Sequence, residues 1–270
     1  MPEGDTIHRV AARLRPVLRD ATLTRVELPR VPRPHPATGS TITGVEARGK
    51  HLLIHGSDAL TIHTHLRMTG SWHLYRPGER WRKPPRAARV VLAVPGAVAV
   101  CFHAPIVEVL TTRALGQHPS LRALGPDLCE DTADLEDALR RLAAVATDGT
   151  TIGEALLDQR VAAGIGNVYR CDVLFLHGLD PATPVNEVPV DQRRRLLEDT
   201  GRLLRTNLTT STRTTAPEHG PGALWVHGRG GQPCRRCGTP IEVAPLGEQA
   251  RLAYRCPRCQ APQRGGTTRG

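Results

Sequence analysis

The spacing of apolar residues changes along the chain. In residues 5–19 they recur every three or four positions, which predicts an amphipathic helix with Asp5 or Thr6 as its cap. From residue 21 to about residue 110, short segments alternate apolar and polar residues or consist of β-branched runs, and Gly and Pro separate them. Because no helical pattern interrupts these segments, they predict antiparallel strands packed as a β-sandwich.

Helical spacing returns near residue 125. It is found in four segments, at residues 135–146, 151–159, 167–178 and 190–208. The stretch 209–222 that follows is rich in Thr, Pro and Gly, which indicates a flexible loop. The whole pattern predicts a multidomain α+β protein in which an N-terminal β-sandwich with flanking helices precedes a helical domain.

Four cysteines near the C-terminus have the spacing of a metal site. They form two Cys-x-x-Cys pairs with eighteen residues between them, and they are Cys234, Cys237, Cys256 and Cys259. Each pair can hold two thiolates on one ion, so together they predict one structural zinc ion that closes a β-hairpin. A disulfide arrangement is the alternative, but nothing else in the sequence indicates an oxidising compartment. The remaining cysteines lack metal spacing and are predicted to be reduced core residues.

The charge balance indicates a polyanionic partner. The 270-residue chain has a formal net charge of +10, and its basic residues are spread along the sequence. Nucleic acid is the expected partner, and a basic soluble enzyme is the alternative. An aromatic content of 3% argues against single-strand binding on stacked rings. Since no segment resembles a signal peptide or a membrane span, we expect a cytoplasmic protein with no membrane partner.

The first residues offer a nucleophile. Removal of Met1 would expose the secondary amine of Pro2, and an α-amino group with a pKa of about 7.7–8.0 is partly neutral near neutral pH. Attack of this amine on a sugar C1′ gives an iminium ion, which is a good electron sink for β-elimination. Glu3 beside it is a candidate acid or base. The alternative is that this beginning has no catalytic meaning, as in many chains.

Two further segments carry polar candidates. Lys50, one of only two lysines, stands at the entrance of a predicted strand as a candidate phosphate contact or general acid. His63 and His65 share one face of the strand predicted in 61–70. A histidine pair at this spacing can bind a metal, but no third ligand is indicated, so histidines that face the sheet or a phosphate are favoured.

A glycine-rich connection joins two of the helical segments. It reads Gly164-Ile165-Gly166-Asn167, and Asn167 is expected to cap the following helix, whose free N–H groups suit a phosphate. A purely structural connection between helices is the alternative. Beside the positive charge of the chain, the segment is a candidate helix–two-turn–helix clamp on DNA.

Several motifs resemble, in their order along the chain, those of the formamidopyrimidine-DNA glycosylase/endonuclease VIII family. They are MPEG at the start, RGKHLL at 48–53, HLRMTG at 65–70, LLDQRVAAGIGNVY at 156–169, WVHGRGGQPCRRCGTPI at 225–241 and RLAYRCPRCQ at 251–260. The resemblance implies an N-terminal β-sandwich, a helix–two-turn–helix domain and a zinc finger, with DNA in the cleft between the halves. The domains expected are 1–125, 126–222 and 223–262, followed by a disordered tail at 263–270.

The resemblance also implies roles for single residues. Pro2 would form a Schiff base at C1′, Glu3 would protonate the opened sugar, and Lys50 would donate the proton for β-elimination. Asn167 and Arg251 would clamp phosphates beside a flipped-out nucleotide, and Arg251 would assist δ-elimination. The remaining DNA contacts are expected from a histidine near the lesion phosphates, two wedge residues that fill the gap in the base stack and an arginine before the zinc finger. These are His65, Met68, Leu115 and Arg229.

The departures from the family pattern favour one branch. Where the formamidopyrimidine branch has an Asp-Pro-Arg-Arg-Phe-Gly loop, this chain has Thr111-Thr-Arg-Ala-Leu-Gly116, so Ala114 cannot replace the arginine that reads the opposite base. Asp5-Thr6 stands where Pro-Glu is common. We therefore expect a monomeric bacterial glycosylase/AP lyase, associated with the nucleoid in use, that excises oxidised pyrimidines from duplex or single-stranded DNA. The alternatives are a formamidopyrimidine/8-oxoguanine glycosylase and a non-enzymatic zinc-ribbon protein that binds damaged DNA.

Overall fold

The computed structural model describes residues 2–210 and 212–261, with the side chains of residues 147 and 148 left out. The predicted tail at 263–270 lies outside the described residues. The chain divides into two compact units between Leu124 and Gly125. Among the described residues, no helix has both the length and the apolar character needed to cross a membrane.

The first unit is a β-sandwich with one long helix. Its elements are α1 (Gly4–Leu18), β1 (Arg25–Glu27), β2 (Ile42–Arg48), β3 (His51–Gly56), β4 (Leu60–His65), β5 (Ser71–Tyr75), β6 (Ala88–Val94), β7 (Ala97–Phe102), β8 (Ile106–Thr111), α2 (Thr112–Gln117) and α3 (Pro119–Arg122). One antiparallel sheet has the order β1-β6-β7-β5 and the other β2-β3-β4-β8. The predicted N-terminal sandwich is thus confirmed.

Alternation along the strands builds the core between the two sheets. Ile54 and Ile62 of one sheet and Val90 and Leu92 of the other are buried in one cluster. Val91, whose side chain points to the opposite face of β6, belongs to a separate cluster. Helix α1 packs on β2 and adds apolar residues at helical spacing to the main cluster, including Ile7, Ala11 and Leu14.

The predicted cap of α1, Asp5 or Thr6, is wrong by two or three residues. The helix begins at Gly4, and Glu3 is its cap residue, with no capping bond from its side chain. The Glu3 carbonyl accepts from the backbone N–H groups of Thr6 and Ile7 at 3.0 and 3.2 Å. Asp5, at the second helical position, forms an ion pair with Arg9 at 3.3 Å one turn later. Its carboxylate therefore lies inside the first turn, where it also favours the positive end of the helix dipole.

The second unit is helical and ends in a hairpin. Its elements are α4 (Leu135–Ala144), α5 (Ile152–Ala155), α6 (Asn167–Leu176), α7 (Val190–Thr206), β9 (Glu242–Leu246) and β10 (Arg251–Arg255). The helices pack around a core that includes Leu142, Tyr169, Val173 and Leu197. Strands β9 and β10 pair antiparallel, with Arg251 opposite Leu246. Short 3₁₀ turns complete the unit, among them Pro217–His219 in the loop that follows α7.

The predicted helix at 151–159 is much shorter in the structure. A capping box starts it, since Thr151 and Glu154 exchange side-chain and backbone hydrogen bonds. It ends at Ala155, and turns follow. Gln159 holds these turns, because its amide donates to the carbonyl of Ile165 at 3.0 Å and accepts from the N–H of Gly164 at 3.1 Å. The apolar spacing that predicted a longer helix instead buries residues of a tight double turn.

Candidate functional site

The start of the chain is anchored on the sandwich. Pro2 is half-buried directly before α1, and Glu3 is completely buried. The Arg15 guanidinium ties α1 to β2, because its Nε donates to the Val45 carbonyl at 3.1 Å. A nucleophile at Pro2 would therefore precede a helix whose last turn is hydrogen-bonded to a strand of the sandwich.

Lys50 lies in the turn at which β2 becomes β3. Arg48 and His51 face each other across the strand pair, so only Gly49 and Lys50 form the connection. Gly49 has a φ of +57°, a backbone conformation that suits glycine in a two-residue turn. Lys50 thus lies at the entrance of β3, directly before its first residue, as predicted. Lys50 is half-buried, and α1 packs against β2, the strand that leads into this turn.

His65 ends β4 as a neutral hydrogen-bond donor. Its Nδ1 accepts from the backbone N–H of Arg67 at 3.1 Å, so in the neutral ring the proton lies on Nε2. Burial, followed by the positive charges of Arg67 and Lys50, lowers the pKa of His65 to about 4. A phosphate at this position would meet an N–H group and no imidazolium charge near neutral pH.

The two predicted wedge residues differ in exposure. Met68 lies in the turn after β4, and 63% of its surface is exposed, which is unusual for a large apolar residue. Leu115 is half-buried on α2. The stretch 111–116, expected as the counterpart of a loop, is mostly helical because the Thr111 hydroxyl accepts from the N–H of Ala114 at 3.2 Å and caps α2.

The predicted capping role of Asn167 is wrong. Gly166 is the cap residue of α6 and Asn167 is its first helical residue, with no side-chain capping bond at this end. The amide of Asn167 instead donates from Nδ2 to the Leu252 carbonyl in β10 at 2.9 Å. The connection between helices thus holds the hairpin through Asn167.

Two buried charged residues of α6 were not found by sequence reasoning. Arg170 is completely buried and donates from Nη2 to the same Leu252 carbonyl at 2.7 Å. Asp172 is also completely buried and accepts from the backbone N–H groups of three consecutive residues, at 2.9, 3.0 and 2.9 Å, and from the Thr215 hydroxyl. The three N–H donors are those of Trp225, Val226 and His227. The sequence signal that could have identified them is the presence of an Arg and an Asp in a helix whose other residues are mostly apolar.

The two predicted DNA-contacting arginines near the hairpin have different surroundings. Arg251 is exposed at the start of β10, where its Nε donates to Gln249 at 3.2 Å. The guanidinium of Arg229 donates to the carbonyls of Trp225 and Pro233 at 2.7 and 2.8 Å. Desolvation, together with the charge of Arg235, lowers the pKa of Arg229. Arg229 thus braces the loop before the hairpin, whereas the Arg251 guanidinium is open to a ligand.

The four cysteines lie close enough together to hold one metal ion. Their Sγ atoms all lie within 4.8 Å of one another, and the thiols are unbridged. Two Sγ–Sγ distances are 3.9 and 3.4 Å, for Cys234–Cys259 and Cys237–Cys256. A tetrahedral site with Zn–S bonds of about 2.3 Å has sulfurs about 3.8 Å apart. The donor set therefore fits a zinc ion.

Backbone groups support this cluster. The N–H groups of Arg236 and Cys259 each point at a cysteine sulfur at 3.4 Å. Gly238 follows the first pair with a φ of +77° and donates to the Cys234 carbonyl at 2.9 Å. Such turns leave both sulfurs of a pair on one side, as a shared ion requires.

The sequence matches two protein-family models. Residues 1–105 match the formamidopyrimidine-DNA glycosylase N-terminal domain, and residues 124–217 match the formamidopyrimidine-DNA glycosylase H2TH domain. The sandwich, the helical unit and the cysteine hairpin together define a DNA glycosylase of the helix–two-turn–helix class.

Curated relatives and solved structures agree with this class. "Probable endonuclease 8 2" of Streptomyces coelicolor is 43% identical, over 99% of this chain and 98% of its own. "DNA-(apurinic or apyrimidinic site) lyase Nei2" of Mycolicibacterium smegmatis is 38% identical, over 96% and 99%. Formamidopyrimidine-DNA glycosylase of Lactococcus lactis, bound to DNA with an AP site, has the same fold, with a TM-score of 0.79 at 23% identity over 96% and 99% of the chains. The chain belongs to the formamidopyrimidine-DNA glycosylase/endonuclease VIII family.

Proposed function

We propose that the protein is a bifunctional DNA glycosylase/AP lyase of base-excision repair that removes oxidised pyrimidines from DNA. Two relatives that align with nearly the whole chain are named endonuclease 8 and AP lyase. The observation that carries the proposal is the beginning of the first unit, where a proline precedes a completely buried glutamate on an anchored helix. Oxidised pyrimidines are favoured because Ala114 stands where the formamidopyrimidine branch has an arginine that reads the opposite base.

The chemistry begins at the amine of Pro2 after removal of Met1. The amine attacks C1′, the glycosidic bond breaks and the base leaves; the C1′–O4′ bond then breaks, the ring oxygen takes up a proton and an iminium ion forms. A secondary amine cannot discharge this iminium by losing a proton from nitrogen, so the positive charge favours loss of a C2′ proton and cleavage of the C3′–O bond. Glu3 protonates the opened sugar, and Lys50 donates a proton in this elimination. A second elimination breaks the C5′–O bond with the help of Arg251.

DNA is held by donors from each unit. In the first unit, Lys50 supplies a charged donor and His65 a neutral N–H group. In the second unit, the exposed guanidinium of Arg251 binds a phosphate. Because the Asn167 amide and the Arg170 guanidinium both donate to the carbonyl of Leu252, we assign to Asn167 the positioning of the neighbouring Arg251.

The remaining contributions are structural. Met68 fills the space that a flipped nucleotide leaves in the base stack, a use that fits an exposed apolar side chain. The half-buried Leu115 assists it, and Arg229 acts through the loop that it braces. One zinc ion on the four cysteines stabilises the hairpin and takes no part in the reaction. The protein acts as a monomer on duplex DNA, and activity on single strands is a further expectation.

Borohydride trapping tests the proposal. Borohydride reduces an iminium ion to a stable amine, so incubation with DNA that contains an abasic site or thymine glycol should yield a covalent protein–DNA complex. Pro2→Gly should weaken or abolish the complex, whereas Pro85→Gly, on a surface turn, should leave it unchanged. Absence of trapping with every lesion would refute the enzymatic proposal and favour a protein that binds damage without cutting.

A lesion panel tests the choice of substrate. Duplexes with thymine glycol, dihydrouracil or 8-oxoguanine are compared under single-turnover conditions, and we expect faster excision of the two pyrimidine lesions. A formamidopyrimidine-DNA glycosylase of Methylococcus capsulatus is also 37% identical over 83% of this chain, so that branch is the second candidate. Preference for 8-oxoguanine opposite cytosine would select it.

A further inference from the structure

A second group of metal-ligand side chains lies in the first unit, and it shares no residue with the cysteine cluster. His63 Nδ1 on β4 lies 2.8 Å from Glu108 Oε2 on β8, and His118 Nε2 lies 3.2 Å from the same oxygen. The three ligand atoms are within 4.8 Å of one another. The sequence showed only His63 and His65 as a pair, because the other two donors, Glu108 and His118, come from distant parts of the chain.

The fold explains why these donors meet. Glu108 stands directly opposite His63 in the pairing of β4 with β8, so both side chains lie on the same face of the sheet. His118 is the cap residue of α3, which follows β8 and α2 in the chain. Two neighbouring strands and the helix that follows them therefore direct two imidazoles and one carboxylate to one point.

We propose that His63, Glu108 and His118 form a second metal site, which takes a borderline divalent cation such as zinc, cobalt or nickel. Two imidazole nitrogens and one carboxylate oxygen are the donor set that such cations prefer, and water can complete the coordination. For bonds of about 2.0–2.1 Å, the donors of a tetrahedral site lie about 3.3 Å apart. The observed 2.8 and 3.2 Å need only a small side-chain rotation to reach this spacing.

Two of the three donors, His63 and Glu108, are in the protonation state that suits a cation. Burial lowers the pKa of His63, so its ring is neutral and can offer a lone pair near neutral pH. Although partial burial opposes it, hydrogen bonding to His63 and His118 holds the pKa of Glu108 below its usual value. The site thus combines the negative charge of Glu108 with the neutral imidazole of His63.

A third histidine supports the site from behind. His51 Nδ1 lies 2.8 Å from His63 Nε2, the nitrogen that points away from Glu108. When His63 binds a metal through Nδ1, its proton moves to Nε2 and is donated to His51. Metal-binding histidines commonly make such a bond with their second nitrogen, which fixes the ring. When His118 binds the ion through Nε2, its bond of 3.2 Å to Glu108 is replaced by metal ligation, and the long bond of 3.4 Å from the N–H of Leu121 to Nδ1 is given up.

The site has an open side for the ion. Glu108 has 42% of its side-chain surface exposed, whereas His63 has 1%. A hydrated cation would therefore meet the carboxylate first and then exchange water for the buried imidazole.

Cobalt(II) provides the test, because its spectrum reports the ligand type. Untagged full-length protein with one equivalent of zinc is equilibrated with cobalt(II), and bound metal is counted. Cobalt on four cysteines shows intense thiolate-to-metal charge-transfer bands, whereas cobalt on imidazole and carboxylate shows only weak ligand-field bands. We expect a second equivalent with the weak bands and with the first zinc retained.

Matched variants locate this second equivalent. Glu108→Gln keeps an oxygen for the imidazole N–H groups but removes the anionic ligand, and it should weaken cobalt binding at least tenfold. Glu46→Gln is the control, because Glu46 lies on the same sheet but contacts one histidine only, His55 at 3.2 Å. His118→Asn should also lose the ion, and since Asn is a good helix cap it should leave α3 and the thermal midpoint unchanged.

Two results would overturn the proposal. One is a total of a single metal equivalent in the wild-type protein, which would leave a hydrogen-bonded His–Glu–His group without an ion. The other is equal binding of the second equivalent by Glu108→Gln and wild type. Both readouts count metal and involve no DNA, so they are independent of the glycosylase activity.

Discussion

The side-chain amide of Asn167 donates to the backbone carbonyl of Leu252, 2.9 Å away, and so connects the turn between α5 and α6 to the residue that follows Arg251. Asn167→Ala should therefore reduce DNA binding and incision about tenfold, because Arg251 loses one of its supports. The coupling between the two residues is tested by measuring the DNA affinity of Asn167→Ala, Arg251→Ala and the double variant. Fluorescence anisotropy with a duplex that contains an abasic-site analogue gives these affinities. If the two losses simply add, Asn167 acts independently of Arg251 and the positioning role is wrong.

Arg251 itself should govern affinity and leave the fold intact. Arg251→Ala should keep a full equivalent of zinc, lose most incision activity and reduce the dependence of log K on log salt concentration by about one, the effect of one lost phosphate contact. Arg140→Ala removes another exposed charge, on α4 of the same unit, and is the control. An unchanged salt dependence in Arg251→Ala would show that this guanidinium does not bind a phosphate.

Asp172 should matter for stability more than for chemistry. In Asp172→Ala, three backbone N–H groups, that of Val226 fully buried, and the buried Thr215 hydroxyl lose their acceptor, so the free energy of unfolding should fall by about 3–5 kcal/mol. Urea unfolding of the zinc-loaded protein measures this loss. Asp131→Asn, at a carboxylate that is 92% exposed, should change it by less than about 1 kcal/mol. A similar loss in both variants would contradict the assigned role of Asp172.

Acid should destabilise the first unit through its buried histidines. Burial, with the charges of neighbouring histidines and Arg67, lowers the pKa of His51 to about 2, and burial lowers that of His65 to about 4. Both pKa values lie below the value of about 6.5 in the unfolded chain, so the unfolded state binds more protons as the pH falls from 6.5. The free energy of unfolding should thus decrease as the pH falls from 6.5. The contribution of His65 levels off near pH 4, its pKa in the fold, whereas that of His51 continues to lower stability below pH 4.

The size of this effect can be bounded for one histidine. Between pH 6.5 and pH 5, a ring that stays neutral in the fold contributes at most about 2 kcal/mol of lost stability. Thermal midpoints at pH 7.5 and pH 5 measure the loss, and His51→Gln should reduce the difference. Since acid release of zinc affects both proteins alike, an undiminished difference in His51→Gln would show that His51 is protonated in the fold.

The Met68 side chain should contribute to excision from duplex DNA and not to the stability of the fold. Met68→Ala should slow excision from duplex DNA by about tenfold and affect a single-stranded substrate less, because only the duplex has a stack to fill. Val190→Ala, at a residue of similar exposure (61% against 63%), controls for the loss of an exposed apolar side chain. Equal slowing on both substrates would exclude a wedge role.

Sequence patterns predicted the architecture because burial on one face leaves a period of two in strands and three to four in helices. The alternation around Ile54, Ile62 and Val91 identified the sandwich, and the cysteine spacing identified the metal cluster. The patterns did not predict single hydrogen bonds that depend on tertiary contacts. The partner of Asn167 is 85 residues away, and the short α5 ends where Gln159 bonds to the turns.

The sequence patterns also did not predict which charged residues are buried. Arg170 and Asp172 follow one another closely in an apolar helix, and the identity of their partners depends on loops far along the chain. His118 likewise meets Glu108 only because α2 turns the chain back after β8. The spacing of residues along the sequence does not predict such long-range contacts.

The Leu252 carbonyl accepts hydrogen bonds from both Asn167 and Arg170, and these two bonds hold β10 in its pairing register. A slip by one residue would turn Arg251 to the opposite face of the hairpin, and these two donors oppose it. Residues between Gly247 and Ala250 are not needed to hold that register, because the pair Arg251–Leu246 already closes the ladder. The hairpin tip is therefore a position at which a short reporter sequence could be inserted after Glu248, so that Gln249 stays beside the Arg251 guanidinium from which it accepts.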